Sequence, residues 1–426
     1  MELEKWFADW GFKNNPFDYT LDADRDPYLE KSFIQNIGLR TSLSFDRPTP
    51  FVVFGTKGSG KTSIRTDLQR FLATHKDQTI TISYTEFNDL LGEKNKGHKA
   101  IPPKSIFSQP VIQLNSDITL SDHLDNILRL GVEELYKEYL SNAQFCEKTQ
   151  IRDTLKDLKE QKRRLILLMA LYYMPTDIIK KIDGISKVMR MFRYKRQGYL
   201  LTGLKRKKLA AEICSKINGI PAMQDGVDQT IRITGTHLYQ PGDIPGDVDQ
   251  RFTLLSYFIE FIQLLKLSGI YLLVDRVDEH NSIRGDSEKM HALINPLLSD
   301  QLLQVNGLGM LLFLPYELQD LRKNYRSDRI KTVCPLEWSP VELKKLIEKR
   351  MSLFSDQEIK LSDLFAENQE GHEQFITNLV TPRNAFMFLE HLIKEHCKMV
   401  DDHKQIQSKT FYAAMRKFHL EKAEIH

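Results

Sequence analysis

Apolar positions along the chain fall first into short unbroken runs and then into helical spacing. Phe51-Val-Val-Phe54 is followed by a glycine-rich stretch and by an amphipathic pattern from about Thr62 to Thr74, which predicts a strand, a loop and a helix. Thr79-Ile-Thr-Ile-Ser-Tyr84 alternates as a second strand. Gly269-Ile-Tyr-Leu-Leu-Val274, Gly309-Met-Leu-Leu-Phe-Leu314 and Lys331-Thr-Val-Cys-Pro-Leu336 supply further strands. Unbroken apolar runs suit strands covered on both faces, so an α/β fold with a parallel sheet is expected.

The second strand and the third are separated by 184 residues, far more than a loop between neighbouring elements. This stretch reads as a mainly helical insertion, with patterns near Leu120 to Tyr139 and Cys146 to Tyr173 and a turn-rich close from Gly235 to Gly246. The amphipathic run Phe252 to Leu267 returns the chain to the core. An aromatic lead-in precedes the first strand, with Trp6, Phe7, Trp10, Phe12 and Phe17, an acidic turn from Asp22 to Asp26 and a helical pattern around Phe33 to Leu43. It is expected to pack against the edge of the sheet. Ser-Pro-Val-Glu after Trp338 opens a capped helix, with further helices to the C-terminus. The expected division is 1–94 (lead-in and first part of the core), 95–250 (insertion), 251–336 (second part of the core) and 337–426 (a helical lid).

The glycine-rich stretch is Gly55-Thr56-Lys57-Gly58-Ser59-Gly60-Lys61-Thr62, which fits G-x-x-x-x-G-K-[ST] in the required strand-loop-helix context, with Ser63 next in the helix. Glycines let the backbone turn so that successive N–H groups and a helix N-terminus converge on phosphate oxygens. Lys61 then reaches the β- and γ-phosphates, and the Thr62 hydroxyl holds Mg²⁺. The third strand ends in Asp275-Arg-Val-Asp278-Glu279, which places acids at the carboxyl end of a parallel strand. Asp275 is expected in the Mg²⁺ shell, and Glu279 or Asp278 as the base that activates water. Together these motifs predict an ATPase with a three-layer P-loop core, ATP and Mg²⁺ as its cofactors.

Composition excludes several alternatives. The 426 residues are 41 % apolar and 27 % charged, which is ordinary for a globular protein large enough for two or three domains. The four cysteines lie far apart with no C-x-x-C pair, which argues for a reducing, cytoplasmic setting without disulfides or structural zinc. No run is long and apolar enough to span a membrane, and Glu2, Glu4 and Asp9 do not suit a secretory leader. With a net charge of only +3, nucleic-acid binding must rest on a local cluster. From Gly184 to Ala211 there are nine Lys or Arg and no acid, including Arg193, Lys195, Arg196, Lys205, Arg206, Lys207 and Lys208, with Phe192, Tyr194 and Tyr199 interleaved. Such cations neutralise phosphates and such rings stack on bases, although a solvated face or an acidic partner fits the same pattern.

The spaced acids of hhhhDxxDE resemble the signal-transduction ATPases of the STAND and KAP type, neighbours of the AAA+ class. Trp10-Gly-Phe-Lys-Asn-Asn-Pro16-Phe17 is similar to the lead-in of secretion- and transposition-associated AAA+ ATPases, and Val380-Thr-Pro382-Arg383-Asn384 to the start of the sensor 2 helix in origin-recognition-like members. The resemblance implies that Arg383 touches the γ-phosphate from the lid, and that Arg326 or Arg329 serves as an arginine finger for a neighbouring subunit. The strand at Gly309 to Leu314 resembles sensor 1 but lacks its polar residue. Also implied are homo-oligomerisation and a conformational switch that assembles on DNA or RNA. The alternative is a signalling ATPase of bacterial antiviral defence, whose insertion binds a protein trigger or an effector.

Overall fold

A computed structural model describes residues 2–20, 22–34, 38–87, 90–91, 118–140, 166, 169, 172–173, 248–283, 285–326, 330–399 and 404–424. The strands are β1 (Phe51–Gly55), β2 (Thr79–Tyr84), β3 (Gly269–Val274), β4 (Leu308–Pro315) and β5 (Lys331–Val333). They form one five-stranded sheet in the order β2-β3-β4-β1-β5, and every pairing is parallel. The three central strands are buried along their whole length, whereas edge strand β2 has two half-buried positions and β5 is partly exposed. That difference explains why β1, β3 and β4 read as continuous apolar runs and β2 as an alternation.

Successive side chains of a strand point to opposite faces, so each strand feeds two cores. Phe51, Val53, Tyr271, Leu273, Leu311 and Phe313 pack with Ile64, Leu68 and Leu72 of the helix Lys61–Ala73. On the other face, Val52, Phe54, Ile82, Leu272 and Leu312 pack with the helices Leu120–Glu134 and Val248–Leu264. A helix therefore covers each face, which is the α/β arrangement that the apolar runs imply. Truncating a residue such as Leu68 to Ala would destabilise the protein by about 2–5 kcal/mol.

The helix Leu120–Glu134 falls within the stretch expected to form the insertion, yet it is an integral layer of the sheet. Its N-cap Thr119 and Asp122 form a reciprocal capping box. Its buried Asp125 accepts from Tyr173 Oη at 2.7 Å and from Arg251 Nε at 2.9 Å, which ties it to later parts of the chain. Ile166, Met169, Tyr172 and Tyr173 share the same buried core.

A third core lies among the C-terminal helices Pro340–Phe354, Gln369–Thr377, Pro382–Met399 and Ser408–Glu424. Ser339 and Glu342 cap the first of these reciprocally, as the Ser-Pro-x-Glu pattern predicts. The first part of the lead-in, Trp6 to Phe17, belongs to this core and not to the edge of the sheet, which corrects the expectation above, whereas Leu39 with Phe33, Leu43 and Phe45 packs with sheet residues as expected. Trp6, Phe7, Trp10, Phe12 and Phe17 are all buried within the third core, and the Trp6 and Trp10 indoles donate to the Lys404 carbonyl at 2.9 and 3.2 Å. The C-terminal helices alone leave an apolar face that this distant segment covers. The helical pattern around Phe33 to Leu43 is likewise not one helix. A short helix spans Leu29–Ser32 and a 3₁₀ turn spans Arg40–Ser42, with Gly38 between them in the left-handed region at φ 55°.

Candidate functional site

The loop after β1 turns through two glycines with positive φ, Gly58 at 83° and Gly60 at 96°, a region that other residues enter at a cost. The helix then starts at Lys61, so its unpaired N–H groups and positive dipole end face the loop. Lys61 Nζ donates to the carbonyls of Gly55 at 2.8 Å and Thr56 at 3.2 Å. The Ser59 hydroxyl is buried without a hydrogen-bond partner and packs on Gly55, where an added Cβ would stand 2.5 Å from it. Such a loop is built to receive an anion.

β3 delivers Asp275 to the same place. Its carboxylate is buried, 2 % exposed, and receives the Arg65 guanidinium at 3.2 Å, from a residue 210 positions away. The nearby Thr62 hydroxyl and Lys61 ammonium also favour its charged form. Burial pushes the Asp275 carboxyl up, against the opposing pull of Arg65 and Thr62. Thr62 and Asp275 thus present two adjacent oxygen donors of the kind a hard divalent cation takes.

Around these groups lies a cavity of about 520 Å³. The glycine loop, with Lys57, Gly58, Gly60, Lys61, Thr62 and Ser63, forms its floor, and Asp275, Asp278 and Glu279 form one wall. The N-terminal segment contributes Asp18, Tyr19, Asp22 and Asp26, and the C-terminal helices contribute Trp338, Arg350, Phe386 and Arg383. Desolvation lowers the pKa of the Lys61 ammonium while Asp278, Asp275, Glu317 and Glu279 draw it back up. Glu279 goes the other way: burial raises its carboxyl, Arg276 opposes this, and Asp275, Asp278 and Asp22 add to it. A carboxylate of raised proton affinity with a 59 % exposed side chain can take a proton from water.

The structure brings the loop from Gly55 to Ser63 together with Asp275, Asp278, Glu279 and Arg383 around one cavity. Arg383 lies directly over the loop, and its backbone N–H donates to the Gly58 carbonyl at 3.4 Å. Arg326 does not line the cavity; its N–H donates to Asp300 at 3.2 Å. Arg329 and the basic segment from 184 to 211, including Arg193, Lys195, Arg196 and Lys205 to Lys208, lie outside the described residues. Tyr316 and Glu317 follow β4 where an Asn, Ser or Thr is expected, and Glu317 acts on Lys61.

Several contributors have no local sequence signal. Trp338 Nε1 donates to the Ser59 carbonyl at 2.7 Å, which fixes the loop from the C-terminal side. Arg350 is buried and binds Asp26 at 2.6 Å and the Pro16 carbonyl at 2.7 Å. Arg65 pairs with Asp24 as well as Asp275, and Arg276 reaches Asp22 at 2.6 Å and Asp24 at 2.7 Å. The acidic turn is therefore bound both to the sheet domain and to the C-terminal helices.

No family model matches this chain, and no curated protein or solved structure does either. Among the described residues, no helix is long and apolar enough to cross a membrane.

Proposed function

We propose that this protein is a P-loop ATPase of the AAA+/STAND-like kind, which binds ATP with Mg²⁺ and hydrolyses it to drive a conformational switch. The observation that carries the reading is the convergence of the Gly55 to Thr62 loop with Asp275, from a strand more than 200 residues later, on one cavity also lined by Glu279 and Arg383. The residues fit the ligand. Left-handed glycines and a helix start suit phosphate, and the oxygens of Thr62 and Asp275 at the cavity wall suit Mg²⁺. Bound there, the metal would neutralise charge on the phosphates.

In this reading, Lys61 leaves its loop carbonyls to bind the terminal phosphates, and the low-dielectric setting strengthens that interaction. Glu279 accepts the proton of the attacking water, with Asp278 beside it. The C-terminal helices act as a lid, and Arg383 reports from that lid whether the γ-phosphate is present. The switch is proposed to work in a homo-oligomer, with Arg326 or Arg329 offered to a neighbouring subunit, and to assemble on DNA or RNA through the basic segment. Phosphate release by the wild type, Lys61→Ala and Glu279→Gln tests the core of the proposal. Both variants must lose turnover, whereas only Glu279→Gln should keep tight ATP binding. Turnover that survives Lys61→Ala would sink the reading.

A further inference from the structure

We propose that Arg276 is a positioning residue for Glu279, clamped by Asp22 and Asp24 of the N-terminal segment, so that the distant acidic turn sets how fast ATP is hydrolysed and not how tightly it binds. The inference rests on the ATPase reading above and assigns a role to three residues, Arg276, Asp22 and Asp24, which that reading does not use.

Arg276 has φ 64°, in the left-handed region that a non-glycine side chain enters only when its surroundings compel it. The compulsion is visible in its contacts. One terminal nitrogen, Nη2, donates to both Asp22 at 2.6 Å and Asp24 at 2.7 Å. Asp24 is itself held by the Thr66 hydroxyl at 2.6 Å and by Arg65, so the clamp has a fixed base. Across the guanidinium, Nε is buried with no hydrogen-bond partner and lies 3.7 Å from Glu279 Oε2. A guanidinium is a rigid planar fork, so fixing one end fixes the direction of the other. Here the fixed fork aims an unused donor at the carboxylate proposed as the base. The Glu279 backbone N–H also donates to the Arg276 carbonyl at 3.2 Å, so the strained residue holds both ends of Glu279.

Charge makes this donor consequential. Asp275, Asp278 and Asp22 all repel the Glu279 carboxylate, while Arg276 attracts it and Lys61 lies across the cavity. Without Arg276, the repulsion of its neighbouring acids on the largely exposed Glu279 carboxylate would act without that opposing cation. Arg276 does not line the cavity, so its loss leaves the nucleotide contacts in place.

The test compares steady-state phosphate release and ATP affinity for the full chain and the variants Arg276→Asn, Arg276→Lys and Asp22→Asn. Asparagine tolerates the left-handed backbone, which separates loss of the guanidinium from loss of the turn. The expected result is a fall in kcat of about 10-fold or more for Arg276→Asn with KM and Kd for ATP within about 2-fold of wild type. Arg276→Lys should recover part of kcat, and Asp22→Asn should lower it in the same direction because the clamp loosens. Unchanged kcat in both Arg276→Asn and Asp22→Asn overturns the inference, as does a loss of ATP affinity that accounts for the whole effect. If Arg276→Asn fails to fold by circular dichroism, Asp24→Asn decides together with Asp22→Asn, because Asp24 holds the same nitrogen and does not line the cavity: a kcat at the wild-type level in Asp24→Asn overturns the inference. Wild-type turnover that does not depend on Lys61 would instead overturn the ATPase reading, and the two failures are distinguishable.

Discussion

Arg383 packs so closely over Gly58 that a Cβ at residue 58 would stand 2.6 Å from the Arg383 Cβ. The glycine in the middle of the loop is therefore needed twice: for its φ of 83° and for the C-terminal helix that seats on it. Gly58→Ala should raise the Kd for ATP by roughly 10-fold or more, since the left-handed backbone alone is worth about 1–2 kcal/mol. Calorimetric titration of ATP checks this. A Kd equal to that of the wild type would mean that the loop and helix adjust at no cost.

If Arg383 reports on the terminal phosphate, its removal must weaken ATP binding more than ADP binding. A charge-assisted contact contributes about 1.5–3 kcal/mol, so Arg383→Ala should lower the preference for ATP over ADP by roughly 10- to 100-fold. Equal losses for both nucleotides would confine Arg383 to packing on Gly58.

The Arg350–Asp26 pair joins the C-terminal helices to the acidic turn with both side chains buried. Removing one partner of a buried pair strands the other charge, at about 3–5 kcal/mol. Arg350→Met should therefore lower stability to denaturant by about that amount, and the double variant Arg350→Met, Asp26→Leu should recover much of it. Equal stability of the single and double variants would contradict a direct pairing.

Asp24 carries a pH signature of the same turn. Burial alone would raise its carboxyl, but the Thr66 hydroxyl, Arg65 and Arg276 together hold it below the ordinary value of 3.8. A carboxyl lowered on folding contributes stability that is present above the unfolded value and is lost as pH falls through the folded value. Asp24→Asn should thus destabilise the protein at neutral pH and flatten the loss of stability on acidification below about pH 4. Urea midpoints measured between pH 2.5 and 7 would reveal it, and parallel curves for variant and wild type would contradict it.

The basic segment makes a prediction about partners. Exchanging Lys205, Arg206, Lys207 and Lys208 for Glu should weaken binding to single-stranded DNA or RNA and reduce the slope of log affinity against log salt by about 3 or more. Unchanged affinity and slope would favour the alternative of a protein trigger or effector on the insertion.

What was legible locally was the sheet and the phosphate-type loop. β1, β3 and β4 sit in the interior of a parallel sheet, where both faces are covered, so their residues announce themselves as unbroken apolar runs. Gly58, Gly60, Lys61 and Thr62 are adjacent because one turn must carry backbone donors, a cation and a hydroxyl together. Asp275 is legible for a related reason, since the end of its strand places it. The packing of the lead-in is not legible in this way, because Trp6 and Phe17 show that they must be buried and nothing in them shows against what.

By itself, then, the sequence determined the strands, the glycine loop and the acids at the end of β3, since each depends on neighbours along the chain. Only the tertiary structure decided that Arg65 and Arg276 serve the acidic turn, that Arg350 and Trp338 join the cavity and that Arg383 sits on Gly58. An arginine carries the same charge on any surface. Which carboxylate it meets is set by chain segments hundreds of residues away, brought beside it by burial of their apolar neighbours.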